Sequence, residues 1–146
     1  MSLTKETRHM RAQDVAHAWH VIDLKGVVLG RAAVTVANLL RGKTNPAYTP
    51  NGDTGDFVVI VNASQVKLTG RKLDQKIYRH HTQFLGGMKS APARIYLIKN
   101  SEQAVRAAVW GMLPKGPLGR KLIKKLKVYA GSEHPHGAQN PIALSL

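Results

Sequence analysis

Apolar residues along this chain recur with two periods, and the order in which they alternate predicts a layered α/β domain. "WHVIDL", Trp19 to Leu24, reads as a short strand, and "KGVVLG" turns out of it. Leu29, Ala33, Val36, Ala37 and Leu40 then fall on one face at helical spacing, and Gly42 closes that helix. From Lys43 to Asp56 the sequence "KTNPAYTPNGDTGD" holds two prolines, two glycines and turn-forming Asn and Asp, the composition of a loop. "FVVIVN", Phe57 to Asn62, is a continuous apolar run, which suits a central strand with helices on both sides.

The second half is more polar. "DQKIYRHH" predicts a third strand and "GGMK" a loop. From Ile95 the helical period returns, with Val105, Ala108, Val109 and Met112 as a stripe that stops at Pro114. In "LGRKLIKKLK" a second helix is expected, with Leu118, Leu122, Ile123 and Leu126 on one side. Arg120, Lys121, Lys124, Lys125 and Lys127 are expected on the other. "VYAG" predicts a final short strand or a helix exit. This divides the chain into an extension at 1–18 that has no order of its own and orders, if at all, on a partner, a domain at 19–131, and an unstructured Pro-containing tail at 132–146.

Composition adds the first functional clue. The 146 residues suit one domain with one core, yet Lys+Arg 22 against Asp+Glu 8 gives a formal charge of +14. Residues 1–74 hold ten Lys/Arg against six Asp/Glu, whereas 75–146 hold twelve against two, so the second half is the expected contact half. A compact body with that excess attracts polyanions, nucleic acid foremost and an anionic membrane surface second. With zero cysteines there is neither a disulfide framework nor a thiolate metal site. No stretch approaches the roughly 18 apolar residues of a membrane span, and "MSLTKETRHMRAQDVAHAWH" lacks the apolar run of a secretory signal, so an intracellular, soluble protein is expected.

Catalytic and metal motifs fare poorly. "RGKT" ends like a phosphate loop, but the required first glycine is Ala37, and the segment closes a helix instead of opening one. Asp53 and Asp56 are too few to hold a divalent cation and suit turn chemistry. His80-His81 and His134-x-His136 have no acidic or thiol cluster to complete a metal site. Asp23, Asp74, Glu102 and Glu133 are scattered, so no catalytic residue, metal or cofactor is assigned and the protein is read as not an enzyme.

The basic segments carry the stronger signal. "KLTGRKLDQKIYRHH" sets Lys67, Arg71, Lys72, Lys76 and Arg79 beside Tyr78, His80 and His81, mixing phosphate-pairing cations with rings that can stack. In "WGMLPKGPLGRKLIKKLKVYAG", Pro114, Gly116 and Pro117 stiffen a turn ahead of a helix whose cations have no acid among them from Gln103 to Ser132. A solvated helix face normally mixes both signs, which favours polyanion contact here. Two other classes stay open: a nucleic-acid-processing enzyme or its basic subunit, and a membrane-surface protein.

The series "WHVIDLKGVVLGR", "ANLLRGK", "YTPN", "GDFVVIVNA", "KLTGRKLDQKIY", "GGMK" and "AVWGMLPKGPLGRKLIKKLKVYAGSEHPH" resembles the large-subunit ribosomal protein L13 family from about Trp19 to His136. The resemblance implies a three-layer α/β/α domain with a small, mostly parallel four-stranded sheet. It also implies a structural constituent of the large ribosomal subunit that binds and stabilises large-subunit ribosomal RNA, during assembly as well as in the mature subunit. Partners would be that RNA and neighbouring large-subunit ribosomal proteins, with no membrane and no small-molecule substrate, on the ribosome in the cytoplasm; the cysteine-free, signal-free chain looks bacterial, with an organellar origin as the open alternative. By matching position, RNA contact is expected at Arg41 and Lys43, at Lys67, Arg71, Lys72, Arg79, His80, His81 and Lys89, and at Lys115, Arg120, Lys121, Lys124 and Lys125.

Overall fold

The computed structural model describes residues 14–146, so most of the expected extension, 1–13, lies outside the described residues. Strand β1, Trp19–Asp23, leads into helix α1, Leu29–Arg41, and then strand β2, Phe57–Val61. A one-turn helix α2, Lys72–Gln75, precedes a hairpin of β3, Ile77–His81, and β4, Met88–Pro92. Helix α3, Ala93–Met112, is followed by α4, Pro117–Leu122, which tightens into a 3-10 turn at Ile123–Lys125. Strand β5, Leu126–Val128, and strand β6, Ile142–Leu144, complete the chain.

The α/β class and the four-stranded sheet are as expected, and every pairing within that sheet is parallel, in the order β5-β2-β1-β6. Being interior, β2 buries Val58, Val59, Ile60 and Val61, which explains its unbroken apolar run. Successive strand residues face opposite ways, so Ile22, Val58, Ile60 and Leu126 share one face. They pack in one cluster with Leu29, Ala33, Val36, Ala37 and Leu40 of α1 and Leu97, Val105 and Val109 of α3. On the opposite face Trp19 stacks on Phe57 at 4.5 Å between ring centroids, and His136 sits 5.2 Å from Trp19. The His136 Nε2 meets the Tyr129 hydroxyl at 2.8 Å. Burial, with the charges of His134 and Lys127 nearby, holds the His136 pKa below the usual histidine value.

Several expectations are corrected. The tail is not unstructured: β6 pairs with β1 from His20 opposite Ile142 to Ile22 opposite Leu144. Backbone pairing along a free edge does this, and it needs little side-chain signal. The third strand leaves the main sheet to pair antiparallel with β4, so Met88 and Lys89 of the expected loop are strand residues. Helix α3 starts two residues early and breaks at Asn100, whose φ of −141° is not helical. Its buried stripe is Ala104, Val105 and Val109, while Met112 is exposed. Helix α4 stops short because Leu126 turns to pair with Val58. Within the expected extension, the Ala18 amide donates to Asp56 Oδ1 at 2.9 Å and the Phe57 amide to the Ala18 carbonyl at 2.9 Å, which docks the chain just ahead of β1.

The exit of α1 fixes the long loop. Gly42 is left-handed at φ 76°, its amide and that of Lys43 bond the Leu39 and Asn38 carbonyls at 3.0 Å, and this double closure is a Schellman motif. Gly55 lies so close to α1 that a Cβ there would strike the Leu40 carbonyl. Gly55→Ala is therefore expected to cost about 2–4 kcal/mol, since backbone would have to move. Gly111→Ala, on the exposed side of α3 with open space around it, should instead stabilise by about 0.5–1 kcal/mol. Urea unfolding of both variants, followed by circular dichroism, checks the opposed signs.

Candidate nucleic-acid interface

Each basic segment is held by local geometry before any partner is considered. Pro117 occupies the first turn of α4, where its missing N–H costs nothing, and Gly116 enters it at φ 122°. Gly119 is buried, and a Cβ there would meet the Pro114 carbonyl, so α4 lies tight against the turn that precedes it. Leu122 anchors the helix in the core, leaving Arg120, Lys121 and Lys124 exposed. Lys115 donates to the Trp110 carbonyl at 2.6 Å and lies 4.8 Å from the Trp110 ring centroid, so its ammonium is braced near the turn while staying exposed.

Lys125 departs from its expected place. Its Nζ donates to Asp53 Oδ1 at 2.6 Å and to the Gly55 carbonyl at 2.8 Å, and it sits 5.5 Å from the Phe57 ring. The side chain is 10% exposed, so this charge is neutralised inside the protein and is not offered outward. The sequence carried the signal: Lys125 is three residues after Leu122 and seven after Leu118, which puts it beside the apolar stripe.

The hairpin presents a second basic group. Register pairs His80 with Lys89 and Arg79 with Ser90, so Arg79 and His80 point to opposite faces, and Arg79, His80, His81 and Lys89 are all exposed. Tyr78 is taken by the fold: its ring stacks on Tyr96 at 4.3 Å, which anchors the hairpin to α3. Burial, then the neighbouring Tyr96, raises the Tyr78 hydroxyl pKa above its ordinary value. Nearer the core, Lys67 bridges to Val28, and its side chain is exposed, as are those of Arg71 and Lys72 around the left-handed Gly70. At the far end of α1, Arg41 donates to the Tyr48 hydroxyl at 3.0 Å and Lys43 is exposed.

Sequence reading missed Arg106, which lies with Arg120 and Trp110 along one hollow and with Lys124 and Lys127 along another. Gln103, Arg106 and Trp110 at helical spacing on the outer side of α3 were the available signal. Among the described residues only Arg94 and Lys125 pair with carboxylates in Lys or Arg ion pairs, and the Arg94 pair with Asp74 at 3.1 Å is exposed. Asp23 is occupied structurally, accepting from Asn62 Nδ2 and the Lys25 amide, which lowers its pKa in that order of effect. Among the described residues no three His, Asp or Glu side chains gather as a metal site, and no helix is long and apolar enough to cross a membrane.

A small parallel α/β core that surfaces several unneutralised cationic groups has the build of a basic structural domain. Residues 17–135 match the model of the family described as Ribosomal protein L13, and the chain belongs to that family. The family is one of structural proteins, not enzymes, in keeping with the absence of a catalytic signature in the sequence. Among its relatives is the large ribosomal subunit protein uL13 of Trichlorobacter lovleyi, 54% identical over 140 residues that cover 96% of this chain and 99% of the relative. The uL13 of Geobacter sulfurreducens is 52% identical, covering 97% and 99%, and that of Clostridium tetani 55% identical, covering 93% and 94%.

The two roles of the α4 cations separate experimentally. Lys125→Met should destabilise the fold by about 3 kcal/mol by stranding the Asp53 carboxylate. Lys121→Met should stay within about 0.5 kcal/mol of the parent. Chemical denaturation of the two variants side by side is the check, with equal destabilisation counting against the internal role of Lys125.

Proposed function

We propose that this protein is a structural constituent of the large ribosomal subunit that binds and stabilises folded large-subunit ribosomal RNA, during assembly and in the mature particle. The observation that carries the reading is the set of exposed cations on α4 and the hairpin that have no carboxylate partner among the described residues, in a chain whose relatives are named as large-subunit proteins. RNA phosphates supply the missing countercharge. The contacting groups are Arg41 and Lys43, then Lys67, Arg71, Lys72, Arg79, His80, His81 and Lys89, then Lys115, Arg120, Lys121 and Lys124. Arg106 and Lys127 join them by position.

Arg binds phosphate oxygens through two parallel N–H donors and Lys as a point charge, and neither identifies a base by doing so. Selectivity in this reading comes from shape: groups fixed on separate elements meet a folded RNA only where its phosphates fall at matching positions. Neighbouring large-subunit proteins pack around the remaining surface, and the work is done in the cytoplasm, on the ribosome.

Sedimentation tests the function. The protein should travel near-stoichiometrically with the large subunit and leave that peak when the RNA is digested; a protein at the top of both gradients would overturn the proposal. Binding to protein-free large-subunit ribosomal RNA tests the surface. Replacing Arg120, Lys121 and Lys124 together by Gln should flatten the dependence of log K on log salt by about 2–3, at roughly 0.7–0.9 for each phosphate left unneutralised.

A further inference from the structure

Between the outer side of α3 and α4 with its 3-10 turn lies a hollow of about 410 Å³. Tyr96, Ala107, Trp110 and Ile123 supply its apolar lining, Arg106 and Arg120 its two guanidinium groups, and Gln103 a neutral amide. No carboxylate lines it. The spacing Gln103, Arg106, Ala107, Trp110 puts four of these on one side of α3, and Arg120 with Ile123 faces them from the other wall. The hollow is held open by the fold. Gly119, where a Cβ would be 3.5 Å from the Trp110 ring and against the Pro114 carbonyl, sets how near α4 comes, and Lys115 braces the Trp110 carbonyl.

We propose that this hollow receives one unstacked nucleotide of the bound RNA, its base against Trp110, Tyr96 and Ile123 and its phosphate on Arg106 and Arg120. This rests on the RNA-binding reading above and extends it from phosphate pairing to the capture of a single base. An unstacked base has two apolar faces and a polar edge, and it is attached to an anion; the lining offers aromatic surface, an amide for the edge, and two guanidiniums. An acidic peptide would also satisfy the arginines, but the hollow is lined only by helix side chains and presents no strand edge to pair its backbone. Arg106 also borders a second hollow of about 400 Å³ with Lys124, Lys127 and Tyr129, which gives the adjoining phosphate a place to continue.

Ultraviolet irradiation of intact large subunits containing the unaltered protein, followed by mass spectrometry of its peptides, reads the site directly. A nucleotide joined to Trp110 or Tyr96 is the expected result. Nucleotide adducts on α4 with none on α3, or a link from Trp110 to another protein, would overturn the inference. A second test fills the hollow without altering charge. Ala107→Trp, at an exposed helix position, should weaken binding to protein-free large-subunit ribosomal RNA about tenfold. A folded Ala107→Trp protein that binds as tightly as the parent removes the base site and leaves the RNA-binding reading standing. Failure of the parent chain itself to bind that RNA removes both.

Discussion

The Lys125 ammonium, held between the Asp53 carboxylate and the Gly55 carbonyl, is the contact on which the arrangement of the basic surface depends. It ties the end of α4 to the long loop, and that loop is itself pressed onto the last turn of α1 through Gly55 and Leu40. Buried ion pairs seldom add much net stability, because desolvation offsets the attraction, but removing one partner is costly. Such a pair discriminates among arrangements more than it strengthens any of them. With Lys125 turned inward, the chain enters β5 with Leu126 in the core and Lys124 outside, and the outward directions of Arg120 and Lys121 follow from the same short helix.

The parallel sheet provides the frame for that contact. Parallel strands need crossovers, and here α1 and α3 serve as crossovers while covering one face. Among the described residues the other face is covered by the Trp19–Phe57 stack and by the returning tail, with His136 against Trp19. Aromatic rings bury much area per residue, so a few of them, with the tail and its 3-10 turn at Gly137–Gln139, can cover that face. The depressed His136 pKa fits this placement, since burial first, and then the charge environment of His134 and Lys127, disfavours the imidazolium.

How much of this the sequence disclosed depends on which force shapes each element. Helix α1 and strand β2 were legible because burial imposes a period: one stripe for a helix packed on one side, a continuous run for a strand covered on both. The family resemblance was legible through ordered motifs from Trp19 to His136, within which the matched span 17–135 largely falls. Strand β6 was not, because three residues joined to an edge by backbone bonds need no alternation. The hairpin is legible in part: Gly86 and Gly87 lie in its turn as their composition suggests, but Met88 and Lys89 are drawn into β4 by backbone pairing with His81 and His80. Lys125 was misjudged because a run of lysines reads as uniformly exposed, although its phase beside Leu118 and Leu122 marked it as different. Arg106 stands alone in a mixed segment, and only the packing of α4 beside α3 gives it company.

The same charge that suits an RNA partner works against the free protein. A chain with a formal charge of +14 repels itself, and among the described residues few ion pairs relieve the repulsion. The fold therefore has to stand on its apolar core, which is why the cluster joining α1, α3 and the sheet runs without interruption by unpaired charge. A polyanion that binds only the folded chain adds stability by mass action and removes the repulsion at the same time. In the proposed reading, binding and folding are thus coupled through electrostatics: the core fixes where the cations stand, and RNA phosphates would make that placement favourable.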